Sequence, residues 1–242
     1  MSTNEVIKHS RRVFGLLKKD NLKPGHKLGE ILTEIAIIVF AISLSLVLER
    51  WRQNQDDQKL EKKFLAGLKT DLTHDLEELK GSSAKCISMK NAAKYFLRPE
   101  NGIDWSSDST KYYSYKLFHN VYFFPNTNRY ESLKSSGKLD VIEDEALQNT
   151  IIDLYQTKIP DLGQQINFFN QFLNTQVKDY LIHNFKRDTN NQVVLDRSFF
   201  TQPGIKNILS FYTDLDDVLK RANASLDESE VVLKKIDSLL KK

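Results

Sequence analysis

Hydrophobic residues form an almost unbroken run near the start of the chain, from Ile31 to Leu48, and become periodic afterwards. Within this run, the 14 residues from Ile35 to Leu48 are uncharged, and ten of them are Leu, Ile, Val or Phe. On an insertion scale they contribute about −3 to −6 kcal/mol. As a helix, residues 31–51 extend about 31 Å, which is close to the thickness of a bilayer core. The pattern therefore predicts a transmembrane helix over residues 29–51.

Two residues are predicted to lie at the membrane interfaces. Glu34 falls within one turn of one end of the span, where a charge is tolerated, and Trp51 falls at the other end, where amphipathic rings concentrate. A buried helix of a soluble protein is the alternative, because uncharged runs of roughly 10 to 14 residues are more often core helices. A cleaved signal peptide fits less well, since the exit from Leu46 to Arg50 lacks a small-x-small cleavage pattern.

The pattern beyond the membrane is that of an amphipathic helix. Apolar residues recur at steps of four and three and predict a stalk helix over residues 52–80 that continues the membrane helix. These residues are Leu60, Phe64, Leu68, Leu72, Leu76 and Leu79. Gly81 and the two serines after it predict a turn or a kink, followed by a helical piece from Ala84 to Leu97. Residues 98–110 have the composition of a loop.

Residues 111–125 are unusually rich in aromatic side chains. The early part is compatible with a helix that has Tyr112, Tyr115 and His119 on one side, while Val121 to Phe124 is β-rich. One interpretation is a platform that binds an aromatic ligand or a carbohydrate. The favoured interpretation is that these rings fill the core of a helical domain, because aromatic residues at this density are more often core.

Residues 128–157 predict two helices joined by a tight connection. Asn128 is predicted to cap the first helix, and Gly137 stands where a helix end requires a left-handed residue. Asp144 is predicted to open the second helix. The apolar positions of this unit are Tyr130, Leu133, Leu139, Val141, Ile142, Leu147, Ile151, Leu154 and Tyr155.

Two long helices are predicted after this unit, over residues 160–185 and 204–241, with a polar loop and a short strand at Val193 to Leu195 between them. Pro160 suits the first turn of the earlier helix. The later helix has a heptad-like seam that only Ser229 interrupts. The seam consists of Leu215, Leu219, Ala222, Leu226, Leu233, Ile236 and Leu240. Antiparallel packing of this seam on the stalk is expected, and homodimerisation through the same seam is the alternative.

The predicted fold class is therefore all-α: a transmembrane helix that continues as a stalk, with an antiparallel helical bundle in the extramembrane domain, residues 52–242. Residues 1–28 form either a basic amphipathic helix on the membrane surface or a mobile basic arm. A net charge of +3 with both signs mixed along 242 residues gives no nucleic-acid-binding surface. Cys86, the single cysteine, is expected to be a small apolar residue of a helix.

The sequence predicts no catalytic, cofactor-binding or metal-binding residue and no enzymatic activity. It contains no glycine-rich phosphate loop, no His-Glu-x-x-His and no Cys-x-x-Cys motif. Asp71, His74 and Glu78, with Asp75 beside them, could be imagined as a metal site made of the first three, but charged residues on the solvent-exposed side of the stalk explain all four. His119 is a weak catalytic candidate, because no nucleophile or paired carboxylate can be assigned to it.

Two stretches resemble a known family. Glu34-Ile35, the Ile- and Val-rich run and Trp51 are similar to the start of a family of uncharacterised single-span membrane proteins common in Gram-negative bacteria. The family's central motif is matched by Tyr130, Leu133, Gly137, Leu139 and Ile142, with Ser136, Leu147 and Tyr155. The chain departs from it at Ala41, where the family tends to have Gly, and at Glu49-Arg50, where it tends to have two Asn. The resemblance implies an inner-membrane anchor with the larger domain on the far side, and no activity.

The positive-inside rule says little about which side of the membrane the N-terminus lies on, since residues 11–30 carry six Lys or Arg and residues 49–68 carry five. With the resemblance, we expect a cytoplasmic N-terminus and a periplasmic C-terminal domain. The expected function is a membrane-anchored interaction or scaffold protein that contacts the lipid bilayer and either a second copy or an unknown protein. The alternatives are a sensory module that binds a ligand near the aromatic segment and an enzyme of an unrecognised type.

Overall fold

The computed structural model describes residues 24–187, 189–191 and 193–241, and most of them are helical. This confirms the all-α fold class. The chain divides into two compact units, residues 1–60 and 61–242. The predicted N-terminal arm falls largely on residues 1–23, which lie outside the described residues.

Helix α1, Pro24–Phe96, is a single helix of 73 residues. It contains the predicted membrane segment, the stalk and the following helical piece without a break, so the predicted turn or kink at Gly81 is wrong. A lone glycine inside a helix weakens it by about 1 kcal/mol without ending it. The tertiary packing of the neighbouring residues outweighs this local signal, because Leu79 and Ser82 on either side of Gly81 are buried.

In the first unit, most of the described apolar side chains of α1 are exposed. A window of 18 residues has a mean hydropathy of 2.6, and none of it is buried. Phe40 is 68% exposed and Trp51 is 64% exposed. A core helix of a soluble protein would bury such a window. Among the described residues, α1 is therefore the one candidate membrane span.

The second unit contains eight further α-helices within the described ranges. They are α2 Asp108–Lys116, α3 Asn128–Ser135, α4 Glu145–Asp153, α5 Ile159–Phe172, α6 Lys178–Asn184, α7 Arg197–Phe200, α8 Pro203–Ser210 and α9 Leu215–Leu240. Short 3₁₀ turns lie at Glu100–Gly102, Leu139–Val141 and Phe211–Asp214. Strands β1, Lys186–Arg187, and β2, Val193–Val194, pair in an antiparallel hairpin, so the short predicted strand is present.

Helices α4, α5 and α6 form one continuous column, because π-helical turns join them at Leu154–Lys158 and Leu173–Val177. Pro160 lies in the first turn of α5, as predicted. It does not separate two helices, however, because the π-turn before it continues the column from α4. The predicted final helix over residues 204–241 is divided into α8 and α9 by the 3₁₀ turn at Phe211–Asp214.

Ion pairs show how the helices of the second unit are arranged. Lys69 pairs with Asp237 at 2.5 Å, Lys80 pairs with Glu230 at 3.6 Å, and Lys90 pairs with Asp216. Residue numbers rise along α1 as they fall along α9, so these two helices are antiparallel, as expected.

Two further ion pairs relate α9 to the column of α4 to α6. Arg221 pairs with Asp161 at 2.8 Å, and Lys158 approaches Glu228 at 4.0 Å. Residue numbers again run in opposite directions, so α9 is antiparallel to this column as well. The core of the second unit is therefore a three-helix bundle in which α9 opposes both partners.

The buried seam of α9 differs from the predicted seam: at several positions the buried residue is the one before the residue that was predicted. The buried residues are Leu215, Val218, Ala222, Ser225, Ser229, Val232 and Ile236. Leu219, Leu226 and Leu233 are only half-buried on the flank, and Leu240 is exposed. Because this seam is buried within one chain, it offers no free face for the alternative homodimer.

The residues of the family-like motif have structural roles. Tyr130 is fully buried and stacks on Tyr155, with ring centroids 4.7 Å apart, while Gln156 donates to its hydroxyl at 2.6 Å. Gly137 has a φ of +69°, which confirms the predicted left-handed helix end.

The other positions of this motif follow the sequence analysis only in part. Leu133 and Ile142 are buried, whereas Leu139 is half-buried. Asp144 caps α4 by accepting from the Leu147 amide at 2.8 Å, as predicted. Asn128, predicted as a cap, is instead the first residue of α3, and Thr127 occupies the cap position.

Candidate functional site

Residues 117–127 form an extended segment that we call the aromatic strap. It contains Val121 to Phe124, which the sequence analysis described as β-rich, but no strand forms there. Asn170 of α5 takes the place of a neighbouring strand. Its carboxamide accepts from the Val121 amide at 2.9 Å and donates to the Val121 carbonyl at 2.7 Å. One side chain therefore satisfies both main-chain groups of a buried residue.

Side chains of α1 hold the rest of the strap. The Ser82 hydroxyl donates to the Tyr122 carbonyl, and Glu78 accepts from the Phe124 amide at 3.0 Å. Asp75 accepts from the main-chain amide of Asn126 at 3.1 Å and from its side-chain amide at 2.6 Å. The strap is thus fixed to α1 by hydrogen bonds from three successive turns of that helix.

Asp75 is buried, with 3% of its surface exposed, so its predicted place on the wet side of the stalk is wrong. Burial raises the pKa of its carboxyl above the usual value of 3.8, and the charges of Glu78 and Asp71 act in the same direction. The two hydrogen bonds from Asn126 oppose this rise. The carboxylate is kept in the core by its role in holding the strap.

Phe118, the second residue of the strap, has a left-handed conformation with a φ of +56°. This region is unfavourable for a bulky residue and costs about 1–3 kcal/mol. Its amide donates to the hydroxyl of Tyr212 at 3.4 Å. Tyr212 is buried, and burial raises its pKa, so the hydroxyl stays protonated. The turn at Phe118 directs the chain out of α2 and along the bundle.

An open groove of about 840 Å³ lies beside the strap. Helix α1 contributes one stripe of residues to its lining, and most of them are small: Gly81, Ala84, Lys85, Ser88 and Met89. A Cβ atom added at Gly81 would meet no atom within 4 Å. Gly81, which resembles a turn signal in the sequence, therefore keeps this wall of the groove shallow, together with Ala84 and Ser88.

The remaining lining comes from α2, the strap and the second π-turn with α6. These residues are Tyr115, Lys116, Phe118, His119, Asn120, Tyr122, Asn174 and Lys178. Asn174 lies in the π-turn at Leu173–Val177, and such turns are frequent at functional sites. A volume of this size falls within the range of small-molecule sites, about 300–1,000 Å³.

The charge of the groove is entirely positive. Lys85, Lys116 and Lys178 line it, and no carboxylate is among the described lining residues. None of these lysines forms an ion pair with another described residue. The ammonium of Lys116 instead lies 5.2 Å from the ring centre of Tyr112 and 5.8 Å from that of Tyr115. Three cations without anionic partners make the groove attractive to an anion.

The aromatic segment fills the core only in part. Leu117 and Val121 are buried, but Tyr115 is 72% exposed and Phe124 is 71% exposed. Tyr122, about half exposed, stacks on Phe124 with centroids 5.9 Å apart. The favoured expectation of a core-filling segment is therefore wrong for these rings, and they remain available for contact.

His119 is exposed at the edge of the groove. Its Nε2 donates to the Tyr115 carbonyl at 2.6 Å, and the two rings lie 5.3 Å apart. Because α2 ends at Lys116, His119 is not on the predicted helix, and the hydrogen bond alone brings it beside Tyr115. The contact orients the imidazole towards main chain, and no described carboxylate forms an ion pair with it.

The residues once considered as metal ligands have separate roles. Asp71 pairs with Arg129 at 2.8 Å, and the guanidinium of Arg129 lies against Gly67, where a side chain would collide with it. Glu78 holds the strap, and His74 is exposed. In the described part of the chain, no group of three His, Cys, Asp or Glu side chains could hold a metal ion.

The remaining predicted residues lie away from this groove. Glu34 and Trp51 belong to the first unit, on α1. Cys86 is 1% exposed, which confirms its expected role as a small apolar residue, and burial raises its pKa to about 11.

Comparisons of the chain with known protein families, curated proteins and solved structures return no match. The resemblance to a family of single-span membrane proteins stays an expectation.

Proposed function

We propose that this protein is a membrane-anchored helical interaction protein whose binding surface is the groove beside the aromatic strap. The groove supports this proposal because it combines exposed tyrosines, lysines without anionic partners and an open volume of about 840 Å³. The seam of α9, the other surface considered for partners, is occupied within the chain.

The anchor is the segment of α1 over residues 29–51. Its support is the exposure of large apolar side chains along this helix, which water would not tolerate over such a length. The resemblance supports a bacterial inner membrane, a cytoplasmic N-terminus and a periplasmic C-terminal domain.

Alkaline extraction of membranes tests the anchor. The full chain should stay with the membrane pellet. Ile42→Lys places a charge near the middle of the span, which raises the free energy of membrane insertion by about 2.5–3.5 kcal/mol. A large fraction of this variant should therefore be released into the supernatant. Gln58→Lys, beyond the span on the same helix, is the matched control and should behave as the native protein. Complete extraction of the native chain at high pH would contradict the anchor.

Blocking the groove tests the binding surface. Gly81→Trp should fill the groove, since the space above Gly81 is open. Gly163→Trp is the matched control, because Gly163 is also helical, has no atom within 4 Å of an added Cβ and does not line the groove. Native mass spectrometry of the detergent-solubilised full chain should find a bound component that is lost in Gly81→Trp and kept in Gly163→Trp. Equal loading of all three proteins would contradict this use of the groove.

A sensory module is the second candidate, because five groove residues belong to α1, the helix that also contains the candidate membrane span. We propose no enzymatic activity, since His119 donates to main chain and has no described carboxylate partner.

A further inference from the structure

We infer that the groove binds an acidic glycan, a chain of sugar rings that carries carboxylate groups. This inference rests on the proposed binding function of the groove and names the chemistry of its ligand. Three properties of the groove support it: its cations are lysines, its aromatic rings are accessible, and main-chain groups of the strap are already hydrogen-bonded.

The cations are lysines, contributed by three different elements. Lys85 comes from α1, Lys116 from the end of α2 and Lys178 from the start of α6. Lysine acts as a point charge, whereas arginine provides the fork that recognises phosphate in two-point contacts. Among its described residues, the lining contains no arginine and no glycine-rich loop. These features favour separate carboxylates over one phosphate group.

The rings and small polar side chains suit sugars. Tyr115 is largely exposed, and Tyr122 is about half exposed while it stacks on Phe124, so the C–H face of a sugar ring can pack against their open ring surface. Ser88, Asn120 and Asn174 supply donors and acceptors for hydroxyl groups. Because the groove is open rather than enclosed, a chain can pass along it.

An acidic peptide is the competing occupant, and the strap does not favour it. An extended peptide gains affinity by pairing with a free strand edge. Val121 already has both main-chain groups bound to Asn170, the Tyr122 carbonyl is bound to Ser82, and the Phe124 amide is bound to Glu78. These four main-chain groups of the strap are therefore not free to pair with such a peptide.

Calorimetric titration of the full chain tests the inference. The protein should be kept in a polyoxyethylene detergent, which contains no sugar. The probes are a hexamer of galacturonic acid, the neutral hexamer maltohexaose and a hexaglutamate peptide. We expect the uronic hexamer to bind at least about tenfold more tightly than the other two, and its affinity to fall with added salt.

Variants separate the charge and ring contributions. The double substitution Lys85→Gln with Lys178→Gln should weaken binding of the uronic hexamer about tenfold, while Lys94→Gln, an exposed lysine of α1 outside the groove, should leave it unchanged. Tyr115→Ala should weaken it about fivefold through lost ring contact. Circular dichroism of each variant checks that the helices are intact.

The outcomes distinguish the inference from the proposed function. Tighter binding of hexaglutamate, or equal binding of the neutral hexamer with no effect of the lysine substitutions, overturns the acidic glycan and leaves the groove as a binding surface. Absence of binding of the uronic hexamer also overturns the inference. The proposed function fails with it only if Gly81→Trp and Gly163→Trp carry the same bound material as the native chain.

Discussion

Gly81 destabilises the helix in which it lies, and it also lines the groove. In the middle of α1 it lowers helix stability by about 1 kcal/mol relative to alanine. No neighbouring atom requires it to be a glycine, since an added Cβ would be in open space. The groove gives a reason for the absence of a larger side chain.

Gly81→Ala should therefore raise the free energy of unfolding by about 0.5–1 kcal/mol. Chemical denaturation of the detergent-solubilised chain, followed by circular dichroism, measures this change. Gly163→Ala in α5, also without a close neighbour, should give a similar gain. If Gly81→Ala lowers the free energy of unfolding while Gly163→Ala raises it, the space above Gly81 is not open, which would contradict the groove.

Asp75 should make stability depend on pH. Its raised pKa means that the folded state binds this proton more tightly than the unfolded chain. Ionising Asp75 in the folded state lowers the free energy of unfolding. This penalty is absent below the pKa of the unfolded chain, near 3.8, grows as pH rises through the folded pKa and is constant above it.

Asp75→Asn removes this penalty while keeping an acceptor for Asn126. The stability difference between Asp75→Asn and the native chain should therefore shift in favour of the variant as pH rises from about 4 to 7. Unfolding curves at several pH values measure the shift. Glu77→Gln, an exposed residue of the same helix, is the control and should show no comparable trend. A difference independent of pH would contradict the buried carboxylate.

At the scale of elements, sequence periodicity identified the helices better than it identified their inner faces. In α9, both seam positions and their neighbours are apolar at Val218-Leu219 and Val232-Leu233. The choice between them depends on where α1 and α5 lie, which the sequence of α9 does not contain. Ser225 and Ser229 are buried because small side chains allow the helices to approach.

The strap was not predicted from the sequence, because its hydrogen-bond partners are also distant in the sequence. Its partners, Asn170, Glu78 and Asp75, lie about 46 to 51 positions away along the chain. No local pattern can show that a polar side chain replaces a strand. The aromatic composition of residues 111–125 did mark this region as a candidate surface, although the favoured interpretation was a core.

Substitutions in α9 distinguish the two seams. Val232→Ala should lower the free energy of unfolding by about 2 kcal/mol, because it leaves a cavity at a fully buried position. Leu233→Ala should lower it by about 1 kcal/mol, although it removes more atoms, because Leu233 is half-buried. The same denaturation experiment gives both values, and the reverse order would support the seam expected from the sequence.

At the scale of the whole molecule, the proposed topology can be tested with introduced thiols. Cys86 is buried and its pKa is raised to about 11, so the native thiol should not react with a maleimide while the chain is folded. This gives a low background for single cysteines placed elsewhere.

In intact bacterial cells, Ser238→Cys should react with a membrane-impermeant maleimide, since Ser238 is exposed near the end of α9. Ser10→Cys should react only after the inner membrane is opened. Gel-shift labelling measures both. The opposite pattern would reverse the proposed orientation, and labelling of the native chain would contradict the burial of Cys86.

Because side chains of other elements hold the strap in place, the strap can detach from the bundle by a local opening. Helices protect their amides through bonds within the same helix, whereas the amides of Phe118, Val121, Phe124 and Asn126 depend on single side chains of other elements. These four amides should exchange with deuterium through a local opening that leaves the three-helix bundle closed. A ligand in the groove would then slow exchange at the strap, with no change in the exchange of α9.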